Sequence, residues 1–259
     1  MKIAVLADIH GNSIALDAVI QDIERSGGVD EYWILGDLVA LGPDPAGVLE
    51  RLEALPKVRS VRGNTDRFVV SGELPWPRLP DVEKDPALFQ LHFRIARSFA
   101  WTAGAVAASG GLARLGQLPL EKRLQLPDGT RVLAVHAQPG SDDGTGVHPK
   151  LSDEALYELV SDAEADLVFV GHTHTPFDRM VGDLRVVNPG SVSNPFPPEL
   201  SAGYALLEAQ EAGYELAFKR AEYDRESVIK AVREVDHPSA EYIIGFMKGE
   251  NRPDWIKSE

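Results

Sequence analysis

The 259 residues include no cysteine. That excludes disulfides, thiolate metal sites and iron–sulfur clusters, and it fits a reducing cytoplasm, where the protein is expected to reside. Long apolar runs are missing as well. No stretch approaches the roughly 18 apolar residues of a membrane span, and the run after Lys2 is cut by Asp8, too early for a secretory leader. Positive charge is scarce: 26 Lys and Arg stand against 40 Asp and Glu, a formal charge of −14. Such a surface repels nucleic-acid polymers and anionic lipid, so neither is an expected partner. It would also repel a phosphate ester unless metal ions or arginines supplied local positive charge. Two divalent ions bring about four positive charges to contact distance, while surface carboxylates are screened beyond roughly 10 Å. The sequence has no internal repeat and no low-complexity segment.

What is present reads as a single large α/β domain over residues 1–259. Ile3 to Ala7 is a near-continuous apolar run, the mark of a strand buried on both faces. It ends in Asp8 and His10, two residues apart and so directed to the same side of an extended chain. A helix follows from Ser13 to Arg25, with Leu16, Val19, Ile20 and Ile23 on one face. Tyr32 to Leu35 is a second strand, ending at Asp37; Asp44-Pro45 opens a second helix, and Val58 to Val61 is a third strand, ending at Asn64. Strands alternating with helices imply a largely parallel sheet.

The alternation breaks at Leu74. Prolines 75, 77, 80 and 86 make 74–86 an irregular connection, and Ala87 to Leu115 reads as helical with a break at Gly110-Gly111. Residues 74–118 are therefore expected to form a helical insertion, as a lid, a dimer surface or simple cover for the sheet. Strands return on either side of Asp128-Gly129, and the second ends at His136. A Gly/Asp-rich loop spans Pro139 to Pro149. Leu167 to Val170 is another buried strand, running into His172 and His174. A hairpin through Gly182-Asp183 leads into Asn188 to Ser191, two further strands follow, and 222–259 is expected to be a helical extension.

Five strand ends thus carry metal-binding residue types: Asp8 with His10, Asp37, Asn64, His136, and His172 with His174. Imidazole and carboxylate without thiolate suit manganese, iron, zinc, nickel or cobalt. Seven ligands exceed the needs of one such ion and match two that share a carboxylate. Two ions roughly 3.5–4 Å apart form the clamp used in phosphoryl transfer, lowering the pKa of a bridging water and neutralising charge on the phosphorus oxygens.

The motifs AlaAspIleHisGlyAsn, GlyAspLeuValAlaLeuGly, GlyAsnThrAsp, ValHisAla and GlyHisThrHis occur in that order between residues 6 and 175. Together they resemble the calcineurin-like metallophosphoesterase superfamily, above all its small bacterial and archaeal phosphodiesterases, which share the AsnProGlySer turn found at 188–191. The resemblance implies a four-layer αββα sandwich of two mixed sheets. It implies that Asp8, His10 and His174 hold one ion, that Asn64, His136 and His172 hold the other, and that Asp37 bridges them. It implies hydrolysis of a small phosphomonoester or phosphodiester by in-line attack of a metal-bridging hydroxide, with two divalent transition ions as cofactors. Manganese is the first choice, with iron, zinc, nickel and cobalt as alternatives.

One position departs from that pattern. Many members carry histidine after the GlyAsn pair, as general acid for the leaving oxygen, and here the residue is Thr65. Threonine can orient a phosphate but hardly protonates an alkoxide. Asn64, Thr65 and Asp66 are taken as the catalytic group, Asp66 serving as acid only if its pKa is raised. Turnover is then expected to favour good leaving groups such as aryl esters, unless His92 or His148 supplies the proton. Arg62 and Arg67 flank the turn and could contact phosphate or pair with nearby carboxylates. A non-catalytic scaffold on the same fold and a nuclease are the rival functions. A homodimer through the insertion or the C-terminal helices is a further expectation.

Overall fold

The computed structural model describes residues 1–252. The last part of the expected C-terminal extension, 253–259, lies outside them. Two five-stranded sheets pack face to face. In the first, β1 (Lys2–Leu6), β2 (Glu31–Ile34) and β3 (Val58–Ser60) run parallel, and β9 (Ala202–Gln210) and β10 (Gly213–Ala221) add antiparallel strands on the β1 side. In the second, β5 (Arg131–Val135), β6 (Leu167–Phe169) and β8 (Leu184–Asn188) run parallel, between antiparallel edges β4 (Glu121–Gln125) and β7 (Phe177–Val181). Both sheets are mixed, as the αββα expectation requires.

Side-chain alternation assigns the layers. Ile3 and Val5 of β1 face the second sheet, meeting Val132, Ala134, Leu167 and Phe169. Ala4 and Leu6 face the other way, into helices. Those helices are α1 (Ser13–Arg25), α2 (Pro45–Ala54), α3 (Asn64–Ser71), α5 (Phe89–Ala108) and α6 (Leu112–Leu115). The outer face of the second sheet, with Leu133, Val135 and Val168, is covered by Leu156 and Val160 of α7 (Asp153–Val160). A smaller core joins α8 (Arg225–Glu234) to α9 (Ala240–Met247) and packs on Ile14 and Phe196. Burying an aliphatic side chain of this kind contributes about 1.5–3 kcal/mol.

The helix starts follow local chemistry. Asn12 accepts the Ala15 amide, Asp44 that of Gly47 before Pro45, Ser152 that of Ala155, and Asp224 that of Ser227. Two expectations need correction. Residues 74–86 are not wholly irregular, because α4 (Leu79–Lys84) forms there; Pro80 lies in its first turn, where a missing N–H costs nothing. Asn64 does not end a strand: it opens α3, four residues beyond β3. Within 74–118, Phe99 and Val106 belong to the helical layer, whereas Trp76, Leu79, Phe89 and Phe93 are exposed.

Candidate metal centre

Because the sheets pack face to face, the C-terminal ends of their parallel strands share one rim. Backbone bonds sew the turns there together. Asp8 N donates to Gly36 O (3.2 Å) and His10 N to Asp37 O (2.8 Å) within the first sheet. Gly171 N donates to His136 O (2.7 Å) within the second. The amide of His172 crosses between sheets to Asp8 Oδ1 (3.1 Å). All seven residues proposed from sequence as ligands meet at this rim.

They meet by an unusual backbone. Asp8, His10, Asp37, His172 and His174 have φ of 56°, 48°, 54°, 68° and 56°. Strand alternation is therefore not what brings Asp8 and His10 together; left-handed residues at both positions turn the side chains inward. Nine non-glycine residues have positive φ among the described residues, and five of them belong to this cluster. Each such conformation costs on the order of 1 kcal/mol or more, and strain of this kind gathers at functional sites. Gly63 has its own steric reason: a Cβ there would overlap the Asp37 carboxylate.

The imidazoles are oriented by backbone carbonyls. The Nδ1–H groups of His10, His174 and His136 donate to Ala40 O (3.0 Å), Asn194 O (3.0 Å) and Leu35 O (2.6 Å). Each therefore turns Nε2 to the interior, and in the neutral tautomer that nitrogen carries the lone pair. His172 is reversed: Nε2 donates to Gly144 O (2.9 Å), and Nδ1 faces His136 Nε2 at 3.3 Å. Consequently the Nε2 lone pairs of His10 and His174 confront each other at 3.0 Å, and His136 Nε2 confronts Asn64 Oδ1 at 3.1 Å. Pairs of acceptors at such distances repel unless something positive lies between them. The Asp37 carboxylate faces both groups, with Oδ2 3.7 Å from His10 Nε2 and Oδ1 3.5 Å from His136 Nε2. Asp8 Oδ1 is 3.6 Å from His174 Nε2.

Burial sets the charge state. It pushes the Asp8 carboxyl well above the usual carboxylate range, reinforced by the charge of Asp37. Burial acts on Asp37 in the same direction, but His136, His10 and His172 outweigh it and draw the carboxyl down to about 2. Burial also lowers His10, His172 and His174, leaving them neutral near pH 7. Asp8 Oδ2 has no hydrogen-bond partner among the described residues. A buried, unpaired carboxylate oxygen among inward lone pairs is a donor set that a divalent cation completes. Two groups of ligand atoms lie within 4.8 Å of one another: Asp8, His10 and His174; and Asp8, Asp37 and His136. Asp8 belongs to both groups, whereas the sequence resemblance gives the shared position to Asp37.

The other candidates are placed as follows. Thr65 is buried; its amide donates to Asp37 Oδ1 (3.0 Å), and its hydroxyl has no hydrogen-bond partner among the described residues. The Asp66 carboxyl is raised to about 8 by burial and by Asp37. Its oxygens, however, accept the amides of Leu38 (2.9 Å) and Gly63 (3.0 Å), so it caps α3 and is occupied in doing so. Arg62 and Arg67 both pair with the buried Asp142, at 2.6 and 3.0 Å, and Arg67 also reaches Asp143. His92 is bound to Pro77 O (2.8 Å). His148 lies two residues beyond Gly146, where a Cβ would sit 2.7 Å from the His172 ring. The AsnProGlySer turn holds the rim: Asn188 donates to Gly171 O (2.7 Å), and Ser191 to Asp8 O (2.9 Å).

Sequence reasoning passed over several participants. The carbonyls of Leu35, Ala40, Gly144 and Asn194 have no signature, since every residue has a carbonyl. Asp142 was within reach, lying in the Gly/Asp-rich loop with two arginines elsewhere to balance it. Phe196 and Phe246, whose ring centroids lie 6.0 and 6.1 Å from that of His174, carry no signal distinct from core residues.

Fold and rim together define a two-sheet α/β protein with a cluster of side chains that could hold a metal ion. Residues 1–212 match the description "Calcineurin-like phosphoesterase superfamily domain", and the chain belongs to that superfamily of phosphoric ester hydrolases. An uncharacterized protein of Methanocaldococcus jannaschii, MJ0912, is 31% identical over 241 residues, covering 86% of this chain and 88% of the relative. A symmetrical bis(5'-nucleosyl)-tetraphosphatase of an Enterobacter species is 27% identical over 210 residues, covering 80% of this chain and 61% of that longer relative. Among solved structures, a metallophosphoesterase from Sphaerobacter thermophilus aligns with TM-score 0.73 at 25% identity, over 97% of this chain and 99% of the other. No helix among the described residues is long and apolar enough to cross a membrane.

Proposed function

We propose that this phosphoesterase uses two divalent ions, manganese first among the choices, to hydrolyse a small phosphomonoester or phosphodiester in the cytoplasm. Asp8, His10 and His174 would hold one ion; Asn64, His136 and His172 would hold the other; Asp37 would serve both. When bound, such ions act as Lewis acids toward the phosphate and make hydroxide available near neutral pH. The chain's own residues do the rest. The carbonyl-bound imidazoles keep their inner nitrogens unprotonated. The Asn64 side chain is directed toward His136 and can donate its amide hydrogens to a phosphate oxygen. The hydroxyl of Thr65 can orient the ester, but as a poor acid it leaves departure to the leaving group's own stability.

The observation that carries this reading is the unpaired Asp8 Oδ2 set among inward-facing imidazole lone pairs. The test begins with elemental analysis of the purified protein, followed by a panel of phosphate esters with added manganese. About two ions per chain and turnover of an aryl phosphodiester, both largely lost in Asp37→Ala, are expected. Aryl esters should also outpace alkyl esters. Undiminished turnover in Asp37→Ala would overturn the reading.

A further inference from the structure

Helix α5 has two unlike faces. The inner face joins the helical layer, where Phe99 packs edge to face on Phe68 of α3 with centroids 5.7 Å apart. On the outer face Phe89, Phe93, Arg97, Ala100, Gly104 and Ala108 are all exposed. Their spacing of three or four residues keeps them on one stripe. The stripe is graded in size. Phe89 and Phe93 stack at 6.1 Å in its N-terminal half, and the Arg97 guanidinium lies over Phe93 at 5.8 Å. The C-terminal half holds only alanine and glycine.

Two further observations bear on what covers it. Gly104 weakens the middle of the helix relative to alanine, yet a Cβ there would meet nothing within 4 Å among the described residues. No neighbour in the described chain explains its small size. The local charge is also unlike the rest of the protein. Residues 86–120 contain no Asp or Glu, although the chain carries 40, and their only Lys or Arg are Arg94, Arg97 and Arg114. Copies with a net charge of −14 repel one another. On this face two copies can meet without opposing carboxylates.

We propose that α5 pairs with α5 of a second copy of this chain, antiparallel about a twofold axis through the helix midpoint. The helix has 20 residues, so that axis sets Phe89 opposite Ala108, Phe93 opposite Gly104 and Arg97 opposite Ala100. A larger side chain meets a small one at each level, the self-complementarity that an isologous contact requires. The Arg97 guanidinium leans over its own Phe93, away from the axis, which keeps the two cations apart. His92 Nδ1 donates to Pro77 O and so ties the segment bearing Trp76 and Leu79 to the aromatic half. Trp76, Leu79, Phe89 and Phe93 are 62%, 63%, 51% and 47% exposed. Together they offer roughly 400 Å², about half of the ~800 Å² that each partner buries in a stable interface; the rest of the stripe adds to it.

The test is sedimentation of the whole chain across a concentration series, in which a dimer is expected. Phe93→Ala and Gly104→Phe should each raise its dissociation constant roughly ten-fold or more. The double variant exchanges large for small and should return the constant toward the wild-type value. A side chain at 104 enters open space in its own chain, so loss of the dimer in Gly104→Phe is not loss of the fold. The lack of cysteine provides a second readout. Ala100 lies beside the axis, and Ala100→Cys should give a disulfide-linked dimer under mild oxidation. The two copies of residue 108 stand roughly 28 Å apart along the helices, and Ala108→Cys should not. A monomer at every concentration, a dimer indifferent to both single variants, or equal cross-linking at 100 and 108 would overturn the pairing.

Discussion

The two sides of the candidate centre use the same device at the ring and opposite materials behind it. On each side a backbone carbonyl fixes an imidazole so that the other nitrogen faces inward. Behind His174 the support is aromatic: Phe196 and Phe246, carried by the loop after β8 and by α9. Behind His172 it is ionic. Gly144 O orients that ring, and the loop bearing Gly144 is tied through buried Asp142 to Arg62 and Arg67, which flank Asn64. One salt-bridge network thus spans the supports of two proposed ligands of the same ion. The difference teaches that the halves should fail separately, one when charges are removed and the other when its apolar packing is loosened.

The severest way to break the contrast is to remove what both halves share. Asp37 faces His10 with one oxygen and His136 with the other. Asp37→Ala should strip metal from both sides and reduce turnover on the order of 10³-fold, about 4 kcal/mol of barrier. Retention of one full ion by elemental analysis would show that Asp37 belongs to one half only, leaving Asp8 as the shared ligand.

A milder change should separate the halves. In Asp142→Asn the arginines lose their buried counter-charge, the loop at Gly144 loosens, and His172 loses its fixed orientation. Partners of this outer kind are typically worth 10–100-fold in metal affinity. Titration of metal-free protein should then give one ion bound about as tightly as before and one weakened by roughly that factor. Equal weakening of both ions would mean that the sides are mechanically coupled and that the contrast is wrong.

Legibility followed the same division. The alternation of buried strands and helices was plain, because Ile3 to Ala7 and Leu167 to Val170 are too apolar for a surface and too short for helices. The ligands were legible as residue types recurring beyond strands. How they converge was not, since left-handed backbone at Asp8, His10 and Asp37 is imposed by bonds between turns and by the space that Gly63 leaves, all of it tertiary. Helix α3 was missed because Asn64-Thr65-Asp66 reads as a turn and only Phe68 and Val69 mark a buried apolar face. The arginines allowed two readings from sequence, and only coordinates could reveal a buried Asp142 arriving from 75 residues away to claim Arg67.

The smallest effect sharpens the contrast from the aromatic side. His237 lies in the turn between α8 and α9, the hairpin that carries Phe246. It packs edge to face on Trp101 of α5 with centroids 4.6 Å apart. Its Nδ1 accepts the Ser239 amide (3.0 Å), and burial lowers its pKa to about 4 from an ordinary 6.5. The unfolded chain therefore binds a proton between pH 6.5 and 4 that the folded chain refuses. Folding stability from this residue is intact above pH 6.5 and is lost as pH falls toward 4. Allowing for relaxation of the charged ring toward solvent, the loss should be about 1–2 kcal/mol, or a few degrees in Tm for a chain of this size. Gln at 237 can still accept the Ser239 amide but does not titrate. Between pH 7 and 4.5 the wild type should consequently lose a few degrees more than His237→Gln, since the other titrating groups are common to both proteins. A parallel decline of the two melting curves would mean that His237 does not couple this hairpin to acid, and the aromatic half would then share its sensitivities with the ionic one.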